Sequence, residues 1–176
     1  MITQILNDPL KPIKLEYLYV TDSAFDVEVE KTDKSWRFEL RIKMLPMPIE
    51  KRSTSQLFEA IVEKPTCYKY VLNGRDVAHL QLGHQTWNNR MRIWDFLIEN
   101  DSRRSGIGSE LMNLAKREAT RAGARMLVLE TQSCNVPAIN FYLKHGFQLI
   151  GFDLAHYSND DVSRREFRME FGLELT

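Results

Sequence analysis

The stretch NDSRRSGIGSELM, residues 100–112, sets two arginines and two glycines between an apolar run and the first turn of an amphipathic segment. A strand that passes through Gly106 and Gly108 into a helix leaves first-turn N–H groups without helical acceptors, at the positive end of the helix dipole. Such a place binds anions. The glycines let the backbone approach closely, and Arg103 and Arg104 add charge-assisted donors, so phosphate or pyrophosphate is the guest these residues suit. A nucleotide P-loop needs a lysine after its glycine, whereas Gly108 is followed by Ser109 and Glu110. A dinucleotide fingerprint needs a small residue where Leu111 stands, and it opens a parallel unit at the start of a fold. Taken alone, the loop also suits an ordinary exposed turn.

The elements that must position this loop are legible around it. FDVEVE and WRFELRI alternate apolar and polar residues across the turn KTDKS, which predicts an antiparallel hairpin over residues 25–42. MLPMPIEK interrupts the alternation, and Ser53 with Gln56 has capping-box spacing, which predicts a short helix. Asn73-Gly74 between CYKYVL and RDVAHLQL predicts a tight hairpin, and MRIWDFLIE a further strand leading into the loop.

Beyond the loop, Ile107, Leu111, Leu114, Ala115, Ala119 and Ala122 recur at helical spacing, with Gly123 placed to end the helix. RMLVLET reads as a buried strand. Asn135 caps a second helix with Pro137 in its first turn, and that helix stops at Gly146. FQLIGF and REFRMEFGLEL supply later strands. The expectation is one domain over residues 1–176, a mixed sheet with helices packed on it.

The bulk numbers agree with an ordinary globular chain of 176 residues, 43% hydrophobic and 27% charged. Lys plus Arg number 24 and Asp plus Glu number 24, so no whole-molecule field recruits nucleic acid or an anionic membrane, and any cationic site is local. Cys67 and Cys134 lack ligand spacing, and His79, His84, His145 and His156 form no ligand pair. These six read as buried or surface packing residues, and no metal is expected. MITQILNDPLKPIK lacks a continuous apolar core, and no apolar stretch approaches spanning length, so the expectation is a cytoplasmic chain.

R-x-x-G-x-G at Arg103–Gly108, followed by LVLETQSCNVPAINFYLKHGFQLIGF at residues 127–152, resembles the two signatures of the GCN5-related N-acetyltransferase (GNAT) superfamily, in order and separation. The resemblance implies an α/β (α+β) fold of GNAT type: a mixed, mostly antiparallel sheet with a splayed central strand pair and flanking helices. It implies acetyl-CoA as cosubstrate and an amine as acceptor. Phe96, Leu97 and Ile98 match the strand whose backbone pairs with the pantetheine arm, and the N–H of Ile98 or Leu97 matches the oxyanion donor. Arg103, Arg104, Ser105, Gly106, Ile107, Gly108 and Ser109 match the pyrophosphate loop.

Asn135 matches an asparagine that contacts the cofactor arm, a role compatible with a helix cap. Tyr142 matches the tyrosine beside the thioester, a general acid for the departing thiolate; Phe141 is expected to face the core. Glu130 and Asp95 match positions that carry the base in different members, Glu130 being the preferred one. Within the superfamily the chain is most similar to the streptothricin acetyltransferases, through Thr86-Trp87-Asn88, Ile93, Asp95, LETQSCNVPAINFYLKHGF and GFDLAHYS. Those enzymes carry a dense acidic tract before the central hairpin. Here MPMPIEKRSTSQLFEAIVEKPTC mixes both signs, so the acceptor amine stays open. A protein or peptide acetyltransferase, a non-catalytic acyl-CoA-binding module and a homodimer are also left open by the sequence.

Overall fold

A computed structural model describes residues 1–175. The elements are β1 (Ile2–Ile5), β2 (Lys14–Lys31), β3 (Trp36–Gln56), β4 (Thr66–Leu72), β5 (Arg75–Gln85), β6 (Arg90–Ile98), α1 (Ile107–Arg121), β7 (Met126–Gln132), α2 (Val136–Lys144), β8 (Gln148–Asp153) and β9 (Arg168–Glu174). This is a mixed α/β fold with a mostly antiparallel sheet, as expected. The chain forms two compact units, each described in turn. One holds Met1–Leu18, Arg52–Leu129 and the stretch from Gly172; the other holds Tyr19–Lys51 and Glu130–Phe171. Among the described residues no helix is long and apolar enough to cross a membrane.

In the first unit the strand order is β1-β4-β5-β6-β7. The Asn73-Gly74 turn joins β4 to β5 with φ of 50° and 77°, the positive values that a two-residue hairpin requires. β5 is buried on both faces from Val77 to Gly83 because it lies inside the sheet with α1 against it. β5 and β6 pair antiparallel with a bulge: Gln81 lies opposite Asp95 and Leu82 opposite Ile93, so Trp94 is the extra residue. Its indole fills the space above Gly83, where an added Cβ would lie 2.6 Å from Trp94 Nε1. β6 and β7 pair in parallel only from Arg90↔Met126 to Arg92↔Val128, although β6 runs on to Ile98. The helix α1 buries Ile107, Leu111, Met112, Ala115 and Ala119, and Gly123 ends it at φ 67°.

In the second unit β2 and β3 continue as a two-stranded sheet, and β7, β9 and β8 lie in that order. Asn135 caps α2 by accepting from the N–H of Ala138 at 3.4 Å, with Pro137 in the first turn. The buried face of α2 is Val136, Ile139 and Tyr142.

Three expectations are corrected. The predicted helix after Ser53 is absent, because β3 runs through to Gln56 and the N–H of Leu57 still bonds to the carbonyl of Ile13 at 3.0 Å. Pro46 and Pro48 do not break the strand, since β3 has a single neighbour and a proline on its open side forfeits no ladder bond. Phe141 does not face the core. It is half-buried and packs on His145 with centroids 4.4 Å apart, while the helical phase of Val136 and Ile139 carries Tyr142 inward. The short β1, four residues without alternation, has no signal in the sequence and is defined by its pairing with β4.

Candidate functional site

The first unit brings together residues 95–98 and 103–109. The N–H of Glu99 bonds to the carbonyl of Val77 at 2.9 Å, which makes that cross-strand pair a hydrogen-bonded one. Alternation then turns the polar groups of Leu97 toward β5 and those of Phe96 and Ile98 toward the β7 edge. Of the two N–H groups expected as oxyanion donors, that of Leu97 points into the sheet and that of Ile98 points outward.

After β6 a short 3-10 turn, Asn100–Ser102, leads to Arg103 in extended conformation, Arg104 at φ 60° and Gly106 at φ 90°. Left-handed Gly106 followed by right-handed Ile107 turns successive N–H groups to one side, the geometry of an anion nest. No side chain caps α1, and its first internal bond runs from Glu110 N–H to Gly106 C=O at 3.1 Å. The N–H groups of Ile107 and Gly108 therefore lie ahead of the helical ladder. A Cβ added at Gly106 meets nothing within 4 Å, so the space above the loop is open for a ligand. Ile107 is buried and anchors the turn, and the Ser105 hydroxyl donates to the carbonyl of Ser102 at 2.6 Å. A pyrophosphate fits these groups.

Arg103 and Arg104 diverge. Arg104 is exposed at the loop. Arg103 donates from Nε to the carbonyl of Ile98 at 3.1 Å and from Nη2 to the carbonyl of Leu18 at 2.8 Å. Its guanidinium is a brace between the end of β6 and β2.

Asp95 is buried and held by three donors: the Tyr17 hydroxyl at 2.9 Å, Gln81 Nε2 at 2.7 Å, and the Ser55 hydroxyl. Gln81 in turn accepts from the N–H of Phe58 at 2.6 Å and from the Cys67 thiol at 3.2 Å. Burial pushes that thiol up to about 12, so it stays protonated. Sequence reasoning missed Gln81, Tyr17 and Ser55, since only tertiary pairing gathers them. It also set His79 aside as packing. The imidazole is 8% exposed, Nδ1 has no hydrogen-bond partner, and burial holds the ring below the ordinary histidine value. His79 lines a cavity of about 710 Å³ together with Tyr17, Leu97 and Ile98.

The second unit carries Glu130, Asn135 and Tyr142. Glu130 is paired with Arg168 Nε at 2.6 Å, and Arg168 also lies 3.5 Å from Glu170. Tyr142 is packed between Phe147 and Phe171, with centroids 6.2 and 6.3 Å away, and burial pushes its phenol up to about 12. A hydroxyl so placed is a neutral proton donor across the physiological range. The Tyr19 hydroxyl donates to Gln132 Oε1 at 2.8 Å and lies 3.3 Å from Cys134 Sγ. Among the described residues no group of three or more His, Cys, Asp or Glu is gathered for a metal ion.

A profile of the acetyltransferase (GNAT) family matches residues 33–147. The chain belongs to that family. It is 35% identical over 95 residues to a streptothricin acetyltransferase of Escherichia coli, covering 54% of each chain. It is 31% identical over 97 residues to streptothricin acetyltransferase A of Bacillus subtilis (strain 168), covering 55% of this chain and 56% of that one. The matches thus span about half the length of these curated relatives. Among solved structures, the fold is similar to nourseothricin acetyltransferase, with a TM-score of 0.71 at 24% identity over 94% of this chain and 99% of that one. It is equally similar, TM-score 0.71 at 22% identity over 94% of this chain and 100% of the other, to a Bacillus anthracis protein solved in complex with acetyl coenzyme A.

Proposed function

We propose that the protein transfers the acetyl group of acetyl-CoA to a primary amine of a small molecule, by direct attack in a ternary complex. One observation carries this: a continuous stretch of chain offers backbone groups first along the outward edge of β6 and then around the nest at Gly106. An extended polar arm ending in a doubly charged group suits that succession. Phe96 and Ile98 serve the pantetheine arm, the N–H groups from Arg104 to Ser109 hold the pyrophosphate, and Arg104 adds a side-chain donor. Arg103 acts through its brace on Ile98.

Family membership supports the chemistry. The amine attacks the acetyl carbonyl carbon, the oxyanion is met by the N–H of Ile98, and Tyr142 protonates the departing thiolate. Asn135 keeps its cap on α2 while contacting the cofactor arm. The two carboxylates are less suited to the base role: Asp95 is held by three donors and Glu130 by Arg168. The names of the curated relatives favour a streptothricin-like antibiotic as an acceptor to test. Two free cysteines suit a reducing, cytoplasmic compartment.

Titration calorimetry with acetyl-CoA, followed by an amine panel read by free-thiol release, tests the proposal. Wild type binds acetyl-CoA and Gly106→Val does not. Binding that survives in Gly106→Val sinks the loop assignment, and a panel without thiol release sinks acetyl transfer.

A further inference from the structure

His79 lies opposite Leu97 in the β5–β6 register, one residue from Ile98, and on the sheet face that carries Leu97. Its Nδ1 is buried and has no hydrogen-bond partner, which leaves Nε2 as the nitrogen the ring presents to the cavity it lines. An imidazole sunk in a sheet without a satisfied nitrogen costs stability unless a ligand or water completes it. The same cavity is walled by Leu97 and Ile98, the end of β6 where the acetyl-transfer reading puts the thioester carbonyl. We infer that this cavity receives the acceptor amine and that His79 Nε2 takes the proton the amine must lose, an inference that rests on the acetyl-transfer reading above.

The charge around the cavity also bears on the amine. Glu16 and Glu99 attract an ammonium, while Lys14 and Arg52 oppose accumulation of positive charge, and the Arg103 guanidinium is tied to carbonyls. The lining is close to balanced, which suits a compact amine of low net charge better than a polycation. Closer to the ring stand Asp76 on its own strand, Lys69 opposite it on β4, and Asp95 and Glu99 on β6. Lys69 is neutralised by Asp76 at 2.9 Å.

The step balances as follows. An alkylammonium gives one proton to neutral His79, and the resulting amine forms a C–N bond with the acetyl carbon. The C–S bond breaks with its electron pair on sulfur. The nitrogen loses a second proton as the amide forms, the thiolate gains one to become free CoA, and His79 passes its proton to water. One proton is released overall.

The test compares wild type, His79→Gln and His79→Asn in thiol-release assays across pH, with propylamine, ethanolamine, lysine amide and streptothricin as acceptors. Calorimetry with acetyl-CoA and thermal melts accompany each protein, and the histidine NMR signals of labelled wild type are followed as propylammonium is added. Both variants should keep acetyl-CoA affinity and lose about 100-fold or more in kcat/KM for the amine. The acid limb of the wild-type profile should lie below the ordinary histidine value of 6.5 and vanish in the variants. The His79 signal should shift with propylammonium.

Wild type that transfers acetyl groups while both variants keep its rate and its acid limb overturns the role of His79 alone. A His79 signal indifferent to every amine that turns over overturns the cavity as acceptor site, even if a variant fails to fold. Wild type that does not bind acetyl-CoA overturns the acetyl-transfer reading and this inference with it.

Discussion

Gln81 Nε2 donates to Asp95 Oδ2 at 2.7 Å across the β5–β6 pair, and both side chains are almost wholly buried. The carboxylate is the hub of a satisfied network that joins four segments: Tyr17 from β2, Ser55 from β3, Gln81 from β5 and Asp95 itself from β6. Asp95→Ala would take the acceptor from one buried donor, Gln81, and from two half-buried ones, Tyr17 and Ser55. The expected loss is about 3 kcal/mol or more, read as a lower urea midpoint with unchanged slope. Asp95→Asn should lose less and retain the acid limb of the rate profile. Loss of that limb in a stably folded Asp95→Asn would return the base role to Asp95.

Arg104 has the left-handed backbone that an L side chain adopts at a cost of about 1 kcal/mol or more. Arg104→Gly should therefore melt no lower than wild type while binding acetyl-CoA more weakly, with a shallower dependence of affinity on salt. A variant that binds as tightly, with the same salt dependence, would show that the guanidinium has no part in holding the pyrophosphate.

Tyr142→Phe removes one buried hydroxyl and should leave acetyl-CoA affinity within a few-fold of wild type while kcat falls by about 100-fold. A pH experiment isolates the same group. Its phenol sits at about 12 in the folded chain against 10.0 in the ordinary state, so the folded form favours the proton. The linked stability is complete below pH 10 and lost as the pH rises from 10 to about 12. The difference in urea midpoint between wild type and Tyr142→Phe should shift across that window. A constant difference would place the Tyr142 hydroxyl in a different environment.

The Glu130–Arg168 pair is partly exposed, with side-chain exposures of 31% and 21%, so breaking it should cost no more than about 1 kcal/mol. Glu130→Gln should keep the acid limb of the rate profile. Arg168→Met removes the same pair from its other side and should cost a similar amount, read as the urea midpoint. A loss well above that in either variant would show that further contacts depend on the pair.

Much of the scaffold was legible because local chemistry decides it. Asn73-Gly74 announced its turn, the apolar spacing from Ile107 to Ala119 announced α1, and Asn135 with Gly146 bracketed α2. The residues after Ser53 were misread because strand pairing outweighed a capping signal, as the Leu57–Ile13 bond shows. Phe141 and Tyr142 were exchanged for want of the helical phase. The left-handed turn at Gly106 that opens α1 could be read from the glycine spacing. His79 and Gln81 could not, because on a strand buried on both faces the alternation that separates lining from core disappears.

The extra residue in β6 works as a structural frameshift. Ile93 and Asp95 are two positions apart and would normally share a face, yet Ile93 pairs with Leu82 and Asp95 with Gln81, neighbours that point opposite ways. Pairing Trp94 with Gln81 would remove the bulge and slip every later residue by one, with Asp95 opposite Leu80 and Ile98 opposite Val77. The carboxylate would turn away from Tyr17 and Ser55, and the outward backbone of Ile98 would turn into the sheet. One unpaired residue therefore separates a strand that turns the main chain of Ile98 into the sheet from one that turns it outward.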